Sequence, residues 1–148
     1  MDPLLRQIHD ALFDLIRVAN APQPDAMLIN EAGITLDRAL LPLLARIGRF
    51  GRVGVVELAE MVGRDYTTVS RQVAKLESLG LIARTPGATD KRVREATLTP
   101  AGEAMNAALD GARERLFRAH FDRWPEHEKT ELARLLRKMA DEALQWTR

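Results

Sequence analysis

At 148 residues the chain has room for one domain, or for one small domain with an oligomerisation element. Its 46% hydrophobic and 29% charged residues are ordinary for a globular protein, and the lack of cysteine excludes a disulfide framework, a thiolate zinc site and a thiol redox sensor. The net charge of +1 hides an uneven distribution: from Arg64 to Glu95, seven cations (Arg64, Arg71, Lys75, Arg84, Lys91, Arg92, Arg94) outweigh four anions (Asp65, Glu77, Asp90, Glu95), leaving +3 there and −2 on the remainder.

A basic segment inside a mildly acidic chain suits a phosphate backbone, although solvated protein faces often carry similar charge. The longest apolar run, Ala39 to Ala45, falls far short of the ~18 residues that a membrane span needs. The start, Met1 to Arg6, has neither the basic stretch nor the long apolar run of a signal peptide, so a cytoplasmic location is expected.

Leu4, Leu5, Ile8, Leu12, Leu15, Ile16 and Ala19 recur at helical spacing and predict an amphipathic helix over residues 3–19. Pro22 and Pro24 end it, and residues 20–34 read as a loop with at most a helical turn near Met27–Asn30. A second helix is expected from Thr35, as N-cap, to about Phe50, kinked at Pro42. Two short helices follow. Val55 to Val62 is stopped by Gly63, and Tyr66 to Leu79, capped by Asp65, is stopped by Gly80. Leu81–Arg84 and Val93–Thr99 then read as strands joined by a polar hairpin loop over residues 85–92. Pro100 opens a long helix to about Arg123, Trp124-Pro125 breaks it, and a last helix starts at Glu126.

A short helix pair around a glycine turn is a DNA-reading unit when its second helix is exposed on one side. At about 100° per residue, Val69, Val73 and Leu76 cluster as a buried stripe. Thr67, Arg71, Lys75 and Ser78 fall on the opposite pole, with Thr68 and Ser70 flanking. That pole carries hydroxyls and cations, which donate to phosphates and base edges.

Several runs together resemble the MarR family of winged-helix regulators. They are Val56-Glu57-Leu58-Ala59-Glu60, Asp65-Tyr66-Thr67-Thr68-Val69-Ser70-Arg71 and Leu76-Glu77-Ser78-Leu79-Gly80-Leu81-Ile82-Ala83-Arg84, then Asp90-Lys91-Arg92 and Leu98-Thr99-Pro100-Ala101-Gly102. The resemblance implies a mainly α fold with a small β-hairpin wing, in which a winged helix-turn-helix lobe sits on a helical dimerisation base. It implies one MarR-type domain over 1–148, with the lobe at 36–100 and dimerisation elements at 1–20 and 101–148. The function implied is a sequence-specific transcriptional regulator, a repressor released by a small ligand, acting as a homodimer on pseudo-palindromic double-stranded DNA.

For the site, the resemblance places Thr67, Thr68, Ser70, Arg71 and Lys75 in the major groove. Arg92 would enter the minor groove from the wing tip, held by a salt bridge from Asp90, while Arg84 would brace the wing or touch phosphate. An arginine on a thin polar hairpin also suits a narrow, negative minor groove on physical grounds. A small aromatic or anionic effector is implied in a crevice whose candidate polar residues are His9, Arg46 and Arg49. No cofactor is expected, and the peroxide-sensing mechanism of one branch of the family is excluded for want of cysteine.

His9, His120 and His127 invite a metal reading, since some relatives bind zinc. However, His120 and His127 stand seven apart across Trp124-Pro125 rather than one helical turn, so no metal site is expected. Phe117, Phe121 and Trp124 read as interface core rather than a ligand stack. A winged-helix protein-interaction module without DNA binding is the alternative function; acidic or apolar residues at positions 71, 75 and 92 would have favoured it. An enzyme is not expected, because no phosphate loop, metal quartet or nucleophile–base pair is present.

Overall fold

Asp2 starts the first helix: its carboxylate accepts the Leu4 amide at 2.7 Å and the Leu5 amide at 3.4 Å, two of the donors that a helix start leaves orphaned. In the computed structural model, which describes residues 1–148, this helix, α1, covers Pro3–Asn20. The expected loop after it is mostly helical, since α2 spans Pro22–Ala32. Pro22 and Pro24 both lie in its first turn, where a missing N–H breaks no hydrogen bond. The prolines that end α1 therefore also begin α2.

Thr35 does not cap a helix. Residues 34–37 are irregular, and Asp37 accepts the Ala39 amide at 2.9 Å to start a 3₁₀ turn, Arg38–Leu40, that leads into α3, Leu41–Phe50. Pro42 thus sits in the first turn of α3 rather than inside a longer helix, and no kink is required.

The next elements follow the expected order. A two-residue strand, β1 (Val53–Gly54), precedes α4 (Val55–Val62); the sequence reading missed it. Gly63 ends α4 in the left-handed region at φ 67°, where a Cβ would be strained. Then come α5 (Tyr66–Ser78), β2 (Ile82–Pro86) and β3 (Arg94–Leu98). The sheet is antiparallel in the order β1-β3-β2, with Ala96 opposite both Val53 and Arg84. Last are α6 (Pro100–His120), α7 (Glu126–Leu144) and a closing 3₁₀ turn over Gln145–Thr147.

The chain divides into two compact units, Met1–Ala112 and Arg113–Arg148. In the first, Leu43, Leu44, Ile47, Val53, Leu58, Val69, Val73, Leu76 and Leu109 are essentially solvent-free, each contributing roughly 1.5–3 kcal/mol by burial. Val69, Val73 and Leu76 are the stripe expected from helical spacing, so α5 rests on this core by the face opposite Arg71 and Lys75. In the second unit Phe117 stacks on Phe121 with ring centroids 6.1 Å apart, while Trp124 and His120 meet Phe121 edge-on at 5.1 and 4.8 Å. Neither α1 nor α7 buries any residue.

The Leu-Thr-x-x-Gly run has a packing reason. The Thr99 hydroxyl donates to the Gly80 carbonyl at 2.6 Å and accepts the Gly102 amide at 3.1 Å, fastening the start of α6 beneath the end of α5. A Cβ on Gly102 would overlap the Leu81 carbonyl oxygen. Gly102→Ala is therefore expected to lower stability by about 1–3 kcal/mol through overpacking, outweighing the ~1 kcal/mol gain in helix propensity. Urea unfolding checks the sign; an unchanged or raised midpoint would contradict the close approach.

Candidate nucleic-acid interface

The α4–α5 pair is a helix-turn-helix whose turn, residues 63–65, is set by two local contacts. Gly63 closes α4, and the Asp65 carboxylate accepts the Thr68 amide at 2.9 Å and the Thr68 hydroxyl at 2.6 Å. Those bonds, the hydroxyl bond first, hold the Asp65 carboxyl below its ordinary pKa. A carboxyl lowered on folding stabilises the fold above its unfolded pKa and loses that contribution as pH falls through the folded value. The cap of α5 is thus complete at neutral pH and weakens in acid.

On α5 the side chains of Thr67, Arg71 and Lys75 are exposed, whereas Thr68 and Ser70 are half-buried. No acid stands among these five; Glu77 follows near the helix end. The Thr68 hydroxyl proton is already donated to Asp65, so that residue serves the helix start first. Ser78 turns its hydroxyl back onto the Lys75 carbonyl at 2.7 Å. The outward pole is thus a row of hydroxyl, guanidinium and ammonium groups on a rigid helix.

The wing is the β2–β3 hairpin. Its tip is closed by backbone bonds from Gly87 to Val93 at 2.6 Å and from Val93 to Asp90 at 3.2 Å. Asp90 accepts the Arg92 amide at 3.0 Å and one edge of its guanidinium, from Nε at 3.2 Å and Nη2 at 3.3 Å. The expected Asp90–Arg92 pair is therefore formed and two-pronged, and it lowers the Asp90 pKa, with the Arg92 side-chain bond as the main cause. The Arg92 side chain is nonetheless 91% exposed. It is held at its base and open at its face.

Arg84 lies half-buried on β2 beside Ala96; its Nε is shielded and has no hydrogen-bond partner, and its carbonyl accepts from Arg94 at 3.0 Å. Two residues that the sequence showed only as members of the charged segment shape this region. Glu95 accepts the Ala88 amide at 2.9 Å and so folds the tip inward over Gly87. Arg64, in the helix-turn-helix turn, donates to the Ala39 carbonyl at 2.7 Å and to Gln72 at 2.9 Å. Neither role follows from a periodic pattern, because the partners lie 25 and 7 residues away.

The candidate effector residues are not joined by hydrogen bonds. His9, on α1, pairs with Asp10 at 3.1 Å and leans on the Phe13 ring, 5.0 Å between centroids. Arg46 is half-buried on α3, and Arg49 lies over the Phe50 ring at 5.5 Å. An open, mainly apolar groove of about 440 Å³ lies beside α2, lined by Pro22, Ala26, Ile29, Asn30, Ile34 and Arg38, and contains none of the three. No group of three His, Asp or Glu side chains is placed to hold a metal, and no helix is long and apolar enough to cross a membrane.

The architecture and the motifs agree with known proteins. The family model HVO_A0114 matches residues 35–95. The chain is 35% identical over 104 residues, 70% of its length and 73% of the relative's, to the uncharacterized HTH-type transcriptional regulator YxaD of Bacillus subtilis (strain 168). A MarR family protein from Bacillus stearothermophilus superposes with a TM-score of 0.82 at 22% identity, covering 97% of this chain and 99% of that one. BpsR of Bordetella bronchiseptica, solved in a study of how 6-hydroxynicotinic acid regulates its DNA binding, superposes with a TM-score of 0.64 at 25% identity, covering 86% of this chain and 91% of its own. A winged helix-turn-helix built on the motifs of residues 56–102, together with these relatives, makes the chain a member of the MarR family of transcriptional regulators.

Proposed function

We propose that the protein is a cytoplasmic, ligand-released repressor that binds a pseudo-palindromic duplex as a homodimer. In this reading residues 36–100 form the DNA-binding lobe of a single domain over 1–148, and residues 1–20 and 101–148 supply the dimerisation helices. The observation that carries it is the pairing of two exposed basic elements on one lobe: the outward pole of α5 and the braced Arg92 at the wing tip.

Each element suits a different groove. A helix fits the major groove, where Arg71 can fork onto a guanine edge while Thr67, Ser70 and Lys75 reach backbone or bases. Thr68 acts there mainly by holding the helix start. Arg92 suits the minor groove, where its charge meets a negative, width-dependent potential. Arg84 braces the strand beneath, and Asp90 orients Arg92 without neutralising its exposed face. A small aromatic or anionic effector, as the study of BpsR describes for that protein, would act through His9, Arg46 or Arg49 by changing the spacing of the two lobes.

Selection of bound duplexes from a random pool tests this reading. A two-fold dimer presents two copies of α5, so the enriched motif is expected to be a pseudo-palindrome with half-sites about 10 bp apart. Failure to retain any duplex at low salt would favour the interaction module instead.

A further inference from the structure

We infer that Arg64 is a positioning residue for DNA readout, tying the rotational setting of α5 to the 3₁₀ turn Arg38–Leu40. The inference rests on α5 being the helix that reads DNA. Arg64 is the one residue between Gly63 and Asp65, in the turn of the helix pair, and is half-buried. One of its terminal nitrogens donates twice, to the Ala39 carbonyl at 2.7 Å and to the Gln72 side-chain oxygen at 2.9 Å. Ala39 is itself fixed, because its amide donates to Asp37 at 2.9 Å. The neighbouring Arg38 pairs with Asp25 of α2 at 3.3 Å. A polar line thus runs from α2, through the 3₁₀ turn and Arg64, to the residue directly after Arg71.

The chemistry explains why such a strut matters. α5 rests on the core through Val69, Val73 and Leu76, and apolar contacts are non-directional, so they tolerate small rotations and slides. Base readout does not, since donor geometry must hold within about 0.5 Å. A charge-assisted hydrogen bond is short and directional, and Gln72 turns that directionality into a fixed helix rotation. The terminal nitrogen that makes both bonds is occupied inside the protein, which separates Arg64 from the open guanidiniums of Arg71 and Arg92.

The experiment is a set of titrations of the dimer against the selected duplex and a scrambled one at three salt concentrations, for the unsubstituted protein, Arg64→Ala, Gln72→Ala, the double variant and Arg71→Ala. Arg64→Ala is expected to weaken the selected duplex about tenfold or more, the scale of one lost charge-assisted bond. Scrambled affinity and salt slope should be unchanged. Gln72→Ala is expected to show the same selectivity loss with the dimer and its helix content retained, and the double variant to be no worse than Arg64→Ala. If Arg64→Ala does not fold, Gln72→Ala carries the test, since it leaves Arg64 on Ala39 and cuts only the link to α5. Three results would overturn the inference: equal losses on both duplexes with a slope flattened by about one charge, which marks a phosphate contact; additive losses in the double variant; or no loss at all. If Arg71→Ala also leaves both duplexes unaffected, the DNA-reading role of α5 fails with it; if Arg71→Ala discriminates, only the strut is wrong.

Discussion

Leu136→Glu is expected to abolish the dimer at micromolar concentration and to take much of the helix content with it. Leu4, Leu5, Ile8, Leu15 and Ile16 on α1 are exposed in the isolated chain, as are Leu135, Leu136, Met139 and Leu144 on α7 and Trp146, which is 85% exposed, just beyond it. Apolar surface on that scale is more than a lone small domain commonly exposes. We propose that a second copy of the chain covers it. In a two-fold dimer each substitution occurs twice. At roughly 1.5–3 kcal/mol per lost side-chain burial, the pair costs about 3–6 kcal/mol before any charge is desolvated, or a hundredfold or more in dissociation constant. Light scattering on the unsubstituted protein should give twice the 16.6 kDa chain mass, with a thermal midpoint that rises with concentration. A stable, helix-rich monomer would reject the assembly.

Arg71→Ala and Arg92→Ala are expected to fail in different ways. Arg71 projects from the outward pole of α5, where a fork onto a guanine edge is worth roughly 1–3 kcal/mol of discrimination. Its loss should fall on the selected duplex and largely spare a scrambled one. Arg92 is held at the wing tip by Asp90, where the minor groove reports width more than exact sequence. Its loss should weaken both duplexes by similar factors and flatten the salt dependence by about one charge. Both side chains are exposed, so dimerisation and helix content should be unchanged. Equal weakening by Arg71→Ala would reduce that residue to a phosphate contact. No effect from Arg92→Ala would remove the wing from the DNA.

Much of this lobe was legible in the residues because its signals are local. Gly63 and Asp65 mark the turn of the helix pair through backbone conformation and capping, and the spacing of Val69, Val73 and Leu76 marks the buried face of α5. The Asp90–Arg92 pair spans three residues and was expected from the family resemblance rather than from spacing. What escaped depends on context. Pro22 and Pro24 break α1 and begin α2 by the same property, and only the position of the helix start tells the two apart. Asp37 outcompeted Thr35 as a cap because the chain enters α3 through a 3₁₀ turn. Val53–Gly54 is too short to show alternation and becomes a strand only because β3 pairs with it. Arg64 and Glu95 act on acceptors and donors 25 and 7 residues away, which periodicity does not report.

Hydroxyl-radical footprinting of the selected duplex tests most directly whether two copies of one lobe read DNA with helix and wing together. Protection is expected in a two-fold pattern: two major-groove half-sites about one helical turn apart, each flanked by a protected minor-groove segment that disappears with Arg92→Ala. A single asymmetric half-site at saturation, or a minor groove left open by the unsubstituted protein, would contradict it.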